Sequence, residues 1–276
     1  MSWLTSVGFR VRRGVTAVAG EGLHAGSPEN RAADLHGLLL DPDVDAVLAT
    51  RGGSGTLALL PLVDFALAAR AHKPLIGWSD LTALHLALWH RAGVTGIAGQ
   101  VAVQLGPDLP AWSRERWLAC LRHGDATGPI PLREGMTLTA LAPGTAEGRL
   151  FPCNFSLLVS LLGTPWMPPL DGAILLLEDI QETPQSLDRM VSRMRLTGAD
   201  RGLAGVILGQ FTGCGPRSPG SVTEEHGREL LQGWVRSLGV PALGGFPHGH
   251  ESRATALPFA RQARIETEPP GLHLLV

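Results

Sequence analysis

The N-terminal half of the chain alternates short apolar runs with segments whose apolar residues recur every three or four positions. The first pattern is typical of buried strands and the second of amphipathic helices. Repeated strand–helix units predict a parallel sheet covered by helices, with ligands at the carboxyl ends of the strands. Strands are predicted at residues 15–19, 44–50 and 75–76. Helices are predicted through Leu39, with Ser27 as N-cap and Pro28 at the first helical position, after Gly55 and after Ser79.

The second half predicts a mixed and more strand-rich α/β structure. Between the halves the periodicity weakens while proline, glycine and charged residues become more frequent, apart from a predicted helix at 112–121. We therefore predict an N-terminal domain at 1–106, a linker region at 107–148 and a C-terminal domain at 149–276. Within the last, helices are predicted at 154–162, 184–196 and 230–238, and strands at 173–177, 204–208, 258–265 and 272–276.

The composition limits which partners the protein could bind and where in the cell it could act. The 276 residues carry a formal charge of −2 without a basic block, so nothing indicates a nucleic acid or an anionic membrane as partner. No apolar run is long enough to span a bilayer, and the start lacks the pattern of a secretory signal. Three widely separated cysteines predict no disulfide framework. We therefore expect a cytoplasmic protein.

Ser79 lies where the apolar run 75–76 turns into a helical pattern. A serine in a strand–turn–helix motif projects from the sheet, and backbone N–H groups of the turn can stabilise the oxyanion of an acyl-transfer reaction. Gly77 fits the G-x-S-x-G elbow, but Leu81 replaces its second glycine. Most serines in such turns only cap the following helix. The chain has no tyrosine and its one lysine, Lys73, is remote, so any base for Ser79 should be a histidine.

A glycine-rich turn, residues 51–55, follows the second predicted strand. It matches neither the Walker nor the dinucleotide motif, so we expect no nucleotide cofactor. Its small residues let backbone amides approach a carboxylate or an oxyanion. Ser54 is the rival nucleophile, although its glycine neighbours favour a binding role.

Two segments of the second half could complete a serine triad. Glu178 ends an apolar strand, where a carboxylate needs a partner or solvent. A later glycine-rich loop holds His248, His250 and Glu251. A carboxylate that accepts the Nδ1–H of a histidine base would orient it for attack. The same loop could contribute to a zinc site, but the spacing offers no third dependable ligand, so we expect no metal.

Several blocks in this order resemble the LD-carboxypeptidase family of serine peptidases, which includes muramoyltetrapeptide carboxypeptidases and microcin C immunity peptidases. The resemblance covers nearly the whole chain, and ordered blocks are more specific than any single motif. The blocks are residues 49–55, 74–83, 162–166, 174–179, 206–211, 249–251 and 257–258.

The resemblance implies roles for individual residues. It places the nucleophile at Ser79, the triad acid at Glu178 and the histidine at His250. It also implies an oxyanion hole of backbone N–H groups, which we assign to Asp80 and Gly53. The serine would belong to the N-terminal domain and its partners to the C-terminal domain, so the site should lie at their junction.

Substrate contacts are expected at Gly52, Ser54 and Asn154. The chain departs from the family pattern at Ser54, where tyrosine is usual, and just before Asn154, where Pro152-Cys153-Asn154 replaces the usual Gly-Gly-Asn. Family members also begin with an apolar strand and a helix before a segment like residues 3–9. We therefore expect the first family strand to be absent from the sheet.

The function implied by the resemblance is that of a metal-independent serine carboxypeptidase. The expected substrate is a murein tetrapeptide, cut before its C-terminal D-alanine during cell-wall recycling. A homodimer is also expected, since dimers are common in the family. Two alternatives stay open. One is microcin C-type hydrolysis of a peptidyl or aminoacyl nucleotide amide, and the other is peptide binding without catalysis.

Overall fold

A computed structural model describes residues 2–18, 24–122, 124, 127–218, 220 and 222–276. Short 3-10 helices cover Thr16–Val18, Leu60–Leu62, Ser79–Leu81 and Ala102–Gln104. The α-helices are α1 (Ser2–Ser6), α2 (Pro28–Leu40), α3 (Thr56–Leu59), α4 (Phe65–Ala71), α5 (Thr82–Ala92), α6 (Ala111–Arg122), α7 (Phe155–Leu161), α8 (Pro184–Thr197) and α9 (Glu224–Ser237). The strands are β1 (Val47–Leu48), β2 (Leu75–Ile76), β3 (Gly96–Ala98), β4 (Gly128–Pro129), β5 (Thr139–Ala142), β6 (Thr145–Asn154), β7 (Ala173–Ile180), β8 (Gly205–Thr212), β9 (Ala242–Gly244), β10 (Leu257–Phe259), β11 (Arg261–Thr267) and β12 (Pro270–Leu274).

The strands form a small sheet and a large sheet. The small sheet has the order β1-β2-β3-β10; its first three strands are parallel, and β10 runs antiparallel to β3. The predicted parallel sheet is thus confirmed, although its strands are short. The fourth strand comes from near the end of the chain, so the C-terminal segment is tied directly to the sheet that carries Ser79.

The large sheet has the order β4-β12-β11-β6-β7-β8-β9-β5. Its four neighbours β6 to β9 are parallel, and the flanking strands are antiparallel. This mixture confirms the predicted strand-rich α/β character of the second half. Strands β4 and β5 come from residues 107–148. Strand β7 is the centre of the core, since Ile174, Leu175, Leu176 and Leu177 are fully buried.

The parallel register brings polar side chains to one edge of the large sheet. Asn154, the last residue of β6, is the register partner of Glu178 in β7. Asn154 then caps α7, because its side chain accepts a hydrogen bond from the N–H of Leu157. The carboxyl edge of this sheet therefore carries two polar side chains side by side.

Helix α2 begins as predicted, with Ser27 as its N-cap and Pro28 in the first turn. The predicted helix after Gly55 is interrupted, however, and forms α3, a 3-10 turn and α4. Pro61 lies in that turn, and Asp64 starts α4 by accepting a hydrogen bond from the N–H of Leu67 at 2.8 Å. A proline without an N–H and a new N-cap explain the break.

The predicted strand at 15–19 is wrong for its described residues, and Ala19 lies outside them. Residues 16–18 form a 3-10 turn instead. The N–H groups of Val15 and Thr16 both donate to the carboxylate of Asp34 at 2.9 Å, so they are not available to a neighbouring strand. Because Val15 and Val18 are exposed, the apolar pattern of this segment does not indicate a buried strand.

None of the helices in the described ranges combines the length and the apolar character needed to cross a membrane.

One buried hydrogen bond links α5 to the edge of the large sheet. The N–H of Asn154 donates to Thr82 Oγ1 at 3.0 Å, and both residues are buried. Thr82 follows the turn that holds Ser79, whereas Asn154 lies beside Glu178. This bond therefore helps to fix the position of the serine turn relative to the acid.

We expect Thr82→Val to lower the free energy of unfolding by about 1–3 kcal/mol. The substitution keeps the side-chain volume but leaves the buried Asn154 N–H without its acceptor. Urea denaturation measures the change. Thr197→Val is the matched control, because the Thr197 hydroxyl donates to a helix carbonyl at an exposed position. Its effect should stay within about 0.5 kcal/mol; equal losses for the two variants would contradict the inference.

Candidate active site

Ser79 begins the 3-10 helix between β2 and α5 and has a φ of +60°. Residues other than glycine rarely adopt this conformation, and such strain concentrates at functional sites. His85 supports the turn, because its Nε2 lies 2.8 Å from the carbonyl oxygen of Gly77. Burial lowers the pKa of His85 to about 4. The imidazole is therefore neutral, and its Nε2 carries the proton that it donates.

The glycine-rich turn packs directly against Ser79. A Cβ on Gly52 would lie 3.2 Å from the Cβ of Ser79 and 3.3 Å from its hydroxyl oxygen, so a side chain here would crowd the hydroxyl. The side chain of Asp80 ties the turn to the same region. Its Oδ2 accepts hydrogen bonds from the N–H of Thr56 at 2.9 Å and from the Thr56 hydroxyl at 2.5 Å. Gly53 has a φ of +114° and is exposed, as is Ser54.

The structure brings Glu178 and His250 together across 72 residues of sequence. His250 Nδ1 lies 2.7 Å from Glu178 Oε2, and the side chains are 14% and 2% exposed, respectively. Burial opposes protonation of His250. The hydrogen bond to Glu178 and the negative charges of Glu178 and Asp179 outweigh burial, and they raise the pKa of His250 above its ordinary value. This is the geometry of a histidine base oriented by a carboxylate.

His248 occupies a different environment from His250. It is 1% exposed, its Nδ1 lies 2.9 Å from the carbonyl oxygen of Thr255, and burial lowers its pKa. Glu251 is exposed. Within the part of the chain that the structure describes, no three histidine, cysteine, aspartate or glutamate residues are grouped closely enough to hold a metal ion. The loop therefore presents His250 to the acid.

Trp78 contacts both histidines and was not predicted as part of the site. Its ring is stacked at 6.1 Å from that of His250 and meets His248 edge-on at 5.7 Å. Its indole N–H donates to Gln104 Oε1 at 3.0 Å, which holds the ring in place. Adjacency to Ser79 is the one signal in the sequence that could have identified Trp78.

Ser79 and His250 line one open cavity of about 370 Å³. They are not joined by a hydrogen bond in the described structure. Nucleophile and base are often loosely aligned in a free enzyme and tighten when substrate binds. The described residues that line the cavity are Arg51, Gly52, Gly53, Trp78, Ser79, Val101, Val103, Gln104 and His250.

Asn154 lies behind the acid and does not line this cavity. It is 3% exposed, and its Nδ2 donates to Glu178 Oε1 at 3.2 Å and to Asp179 Oδ1 at 2.9 Å. Asp179 is also buried, and burial is the main reason that its pKa is raised to about 6. The sequence alone gave no reason to assign Asp179 a role, since its contacts depend on the fold.

A serine in a strained turn, facing a cavity that also contains a carboxylate-bound histidine, has the parts of a serine hydrolase. Comparison with known proteins makes the class specific. The family model of the LD-carboxypeptidase N-terminal domain matches residues 1–99, and that of the C-terminal domain matches residues 147–265. The chain belongs to the LD-carboxypeptidase family, which confirms the resemblance seen in the sequence.

Two curated relatives share about a third of their residues with this chain. One is the probable murein peptide carboxypeptidase of Bacillus subtilis, 33% identical over 96% of this chain and 82% of that protein. The other is the murein tetrapeptide carboxypeptidase of Pseudomonas aeruginosa, 32% identical over 88% of this chain and 79% of that protein.

Solved structures share the fold over almost the full chain. The muramoyltetrapeptide carboxypeptidase from Oxalobacter formigenes superposes with a TM-score of 0.81 at 25% identity, covering 99% of this chain and 91% of that one. The microcin immunity protein MccF in complex with glutamyl sulfamoyl guanosine has a TM-score of 0.87, covering 100% and 89% of the two chains. At 22% identity, this similarity shows a shared fold and nothing more.

Glu178→Gln should lower the pKa of His250. The substitution removes a charge and weakens a hydrogen bond that both favour the imidazolium, whereas burial continues to oppose it. The His250 Cε1–H resonance, followed by NMR between pH 4 and 9, should titrate above the ordinary histidine value in the native chain and at lower pH in the variant. An unchanged midpoint would contradict the observed pairing. Glu251→Gln is the control, because this exposed carboxylate makes no bond to His250 and should leave the midpoint in place.

Proposed function

We propose that this chain is a serine carboxypeptidase that hydrolyses the amide bond before the C-terminal D-amino acid of murein tetrapeptides. The observation that carries the proposal is the bond between His250 and Glu178 beside the cavity that contains Ser79. Family membership and the murein substrates in the names of two relatives support the substrate class.

In the proposed mechanism, neutral His250 takes the proton of the Ser79 hydroxyl while the oxygen attacks the amide carbonyl carbon. Glu178 accepts the Nδ1–H throughout and stabilises the imidazolium. The N–H groups of Asp80 and Gly53 would hold the oxyanion. The imidazolium then protonates the leaving amine, which departs as the terminal amino acid. Water, deprotonated by His250, hydrolyses the acyl-serine and restores the hydroxyl.

The raised pKa of His250 sets the expected direction of the pH dependence. Only the neutral imidazole can accept the serine proton, so activity should be lost as the pH falls through the pKa of His250. Because that pKa lies above the ordinary histidine value, the acid limb should lie above about 6.5.

Arg51 is positioned to recognise the terminal carboxylate that distinguishes a carboxypeptidase substrate. It lines the cavity with Ser79, and its guanidinium lies against Gly53, with Nη2 3.9 Å from the position of a Cβ there. Among the described residues, Arg51 has no hydrogen-bond or ion-pair partner. The substrate carboxylate lies only one residue beyond the attacked carbonyl, about 4 Å away. Gly52 and Ser54 of the same turn are proposed as further contacts.

Two other predictions from the sequence belong to this proposal. A cytoplasmic location fits the three cysteines, which are buried and unpaired and therefore suit a reducing compartment. A homodimer is the expected assembly.

The purified chain should release D-alanine from a murein tetrapeptide, and Ser79→Ala should reduce the rate by at least about 10³-fold. Released D-alanine can be measured by coupled oxidation, with binding of the uncleaved peptide measured by calorimetry. Ser54→Ala is the comparison variant, because it removes the rival hydroxyl from the adjacent turn; it should retain kcat, and the loss of a substrate contact should show only as a higher KM.

Three outcomes would contradict the proposal in different ways. Full activity in Ser79→Ala would exclude this nucleophile. Binding of the tetrapeptide without turnover by the native chain would favour a peptide-binding protein. Hydrolysis of an aminoacyl sulfamoyl nucleotide without D-alanine release would favour the microcin-type reaction.

Arg51→Gln should weaken hydrolysis of a tetrapeptide with a free C-terminal carboxylate by about 10- to 100-fold in kcat/KM, because one charge-assisted hydrogen bond is lost. The same peptide with a C-terminal carboxamide should be a poor substrate for the native chain and should be affected little by the substitution. Arg70→Gln, at an exposed position in α4, is the charge-matched control. Equal losses on both peptides would show that Arg51 does not act through the carboxylate.

A further inference from the structure

Two consecutive carboxylates, Glu178 and Asp179, share one buried amide. Neighbouring residues of a regular strand point to opposite faces of the sheet. Here Asn154, at the end of the neighbouring strand β6, reaches both carboxylates with its Nδ2, at 3.2 Å and 2.9 Å. The acid therefore has a neighbour that the proposed mechanism leaves without a role.

The hydrogen-bond partners of Asn154 fix the orientation of its amide. Its Oδ1 accepts from the Ser156 hydroxyl at 2.8 Å and from the N–H of Leu157 at 3.2 Å. Its Nδ2 faces only carboxylate oxygens. A flipped amide would place oxygen against oxygen and N–H against N–H. One Nδ2 proton is consequently held toward Oε1 of Glu178. The other oxygen of this carboxylate, Oε2, accepts the bond from His250.

Asp179 faces hydrogen-bond donors with both of its oxygens. Oδ1 accepts from Asn154 Nδ2 and from the N–H of Ile180, each at 2.9 Å, and Oδ2 accepts from the N–H of Ser156 at 2.8 Å. An asparagine at this position would have to point its NH₂ group at an N–H on one side. The site therefore requires a carboxylate, although the substitution would change the side-chain volume very little.

We propose that Asp179 and Asn154 are positioning residues for the triad: Asp179 holds the Asn154 amide, and this amide holds the Glu178 carboxylate in the orientation that binds His250. The inference rests on the proposed function for its kinetic consequences alone, since the hydrogen bonds exist without substrate. The two residues act on His250 from outside the cavity, through the linked side chains of Asp179, Asn154 and Glu178.

Three further titratable side chains beside this network, Cys153, Cys214 and His248, stay neutral near pH 7. Burial raises the pKa of Cys153 well above its usual range, and it raises the pKa of Cys214 to about 12. His248 is held neutral, since burial lowers its pKa. The charges that act on His250 from behind the acid are therefore those of Glu178 and Asp179.

The test combines Asp179→Asn, Asn154→Leu and the double variant. Each single substitution should lower kcat by about 10- to 100-fold with little change in KM, because the base is misplaced while the cavity is unaltered. The double variant should be no slower than the slower single variant, since both break the same chain of bonds. Asn154→Leu keeps the Asp179 side chain, so a similar loss in this variant would point to the broken hydrogen bonds rather than to the missing carboxylate.

A second readout does not depend on turnover. The His250 Nδ1 proton should give a strongly downfield NMR resonance in the native chain, and this resonance should move upfield in both single variants. The shift would be seen even if the tetrapeptide were not the substrate, so failure of the proposed function and failure of this inference are distinguishable. If the larger changes prevent folding, Ser156→Ala takes their place. This substitution removes one donor to Asn154 but keeps every carboxylate, and it should move the resonance upfield by a smaller amount.

Asp200→Asn is the matched control. Asp200 is a buried carboxylate that accepts the indole N–H of Trp234 at 3.1 Å in another part of the structure. Its loss should lower thermal stability and leave both kcat and the His250 resonance unchanged. Unchanged kcat and an unchanged resonance in the Asp179 and Asn154 variants, or fully additive losses in the double variant, would overturn the proposal.

Discussion

The site depends on how the carboxylate of Glu178 is accommodated inside the protein. A charge that is almost completely withdrawn from water is costly unless donors surround it. Here one oxygen accepts from His250 and the other from Asn154. The same two bonds that make the burial tolerable also fix the histidine ring, so the stability of the sheet edge and the orientation of the base have a common origin.

The serine side of the site is held by several separate hydrogen bonds. His85 holds the carbonyl of Gly77, Asp80 holds Thr56 after the glycine turn, and Thr82 accepts the N–H of Asn154. None of these bonds involves the Ser79 hydroxyl. They fix the backbone around it and leave the hydroxyl facing the cavity, which suits a group that must exchange its proton during a reaction.

Sequence reasoning succeeded where local pattern and local burial agree. The N-cap at Ser27, the short strand before Ser79 and the buried strand that leads to Glu178 were all readable from periodicity and turn chemistry, although this last strand continues to Ile180. It failed at residues 15–18, because exposed valines imitate a strand and a distant aspartate takes the backbone N–H groups. Strands β4 and β5 were equally hidden, since their partners lie more than 90 residues away in the chain.

The candidate site shows the same difference between features that local sequence indicates and features that distant contacts determine. A serine, an acid and a histidine could be nominated from residue types and family blocks, but the choice of His250 over His248 had no local signal. In the fold the choice follows from which imidazole meets a carboxylate and which meets a carbonyl. The sequence could not predict that Asp179 supports Glu178, because period-two alternation places the two side chains on opposite faces of the sheet. The hydrogen bonds of one amide to both carboxylates appear only in the fold, because Asn154 lies 24 and 25 residues before them in the chain.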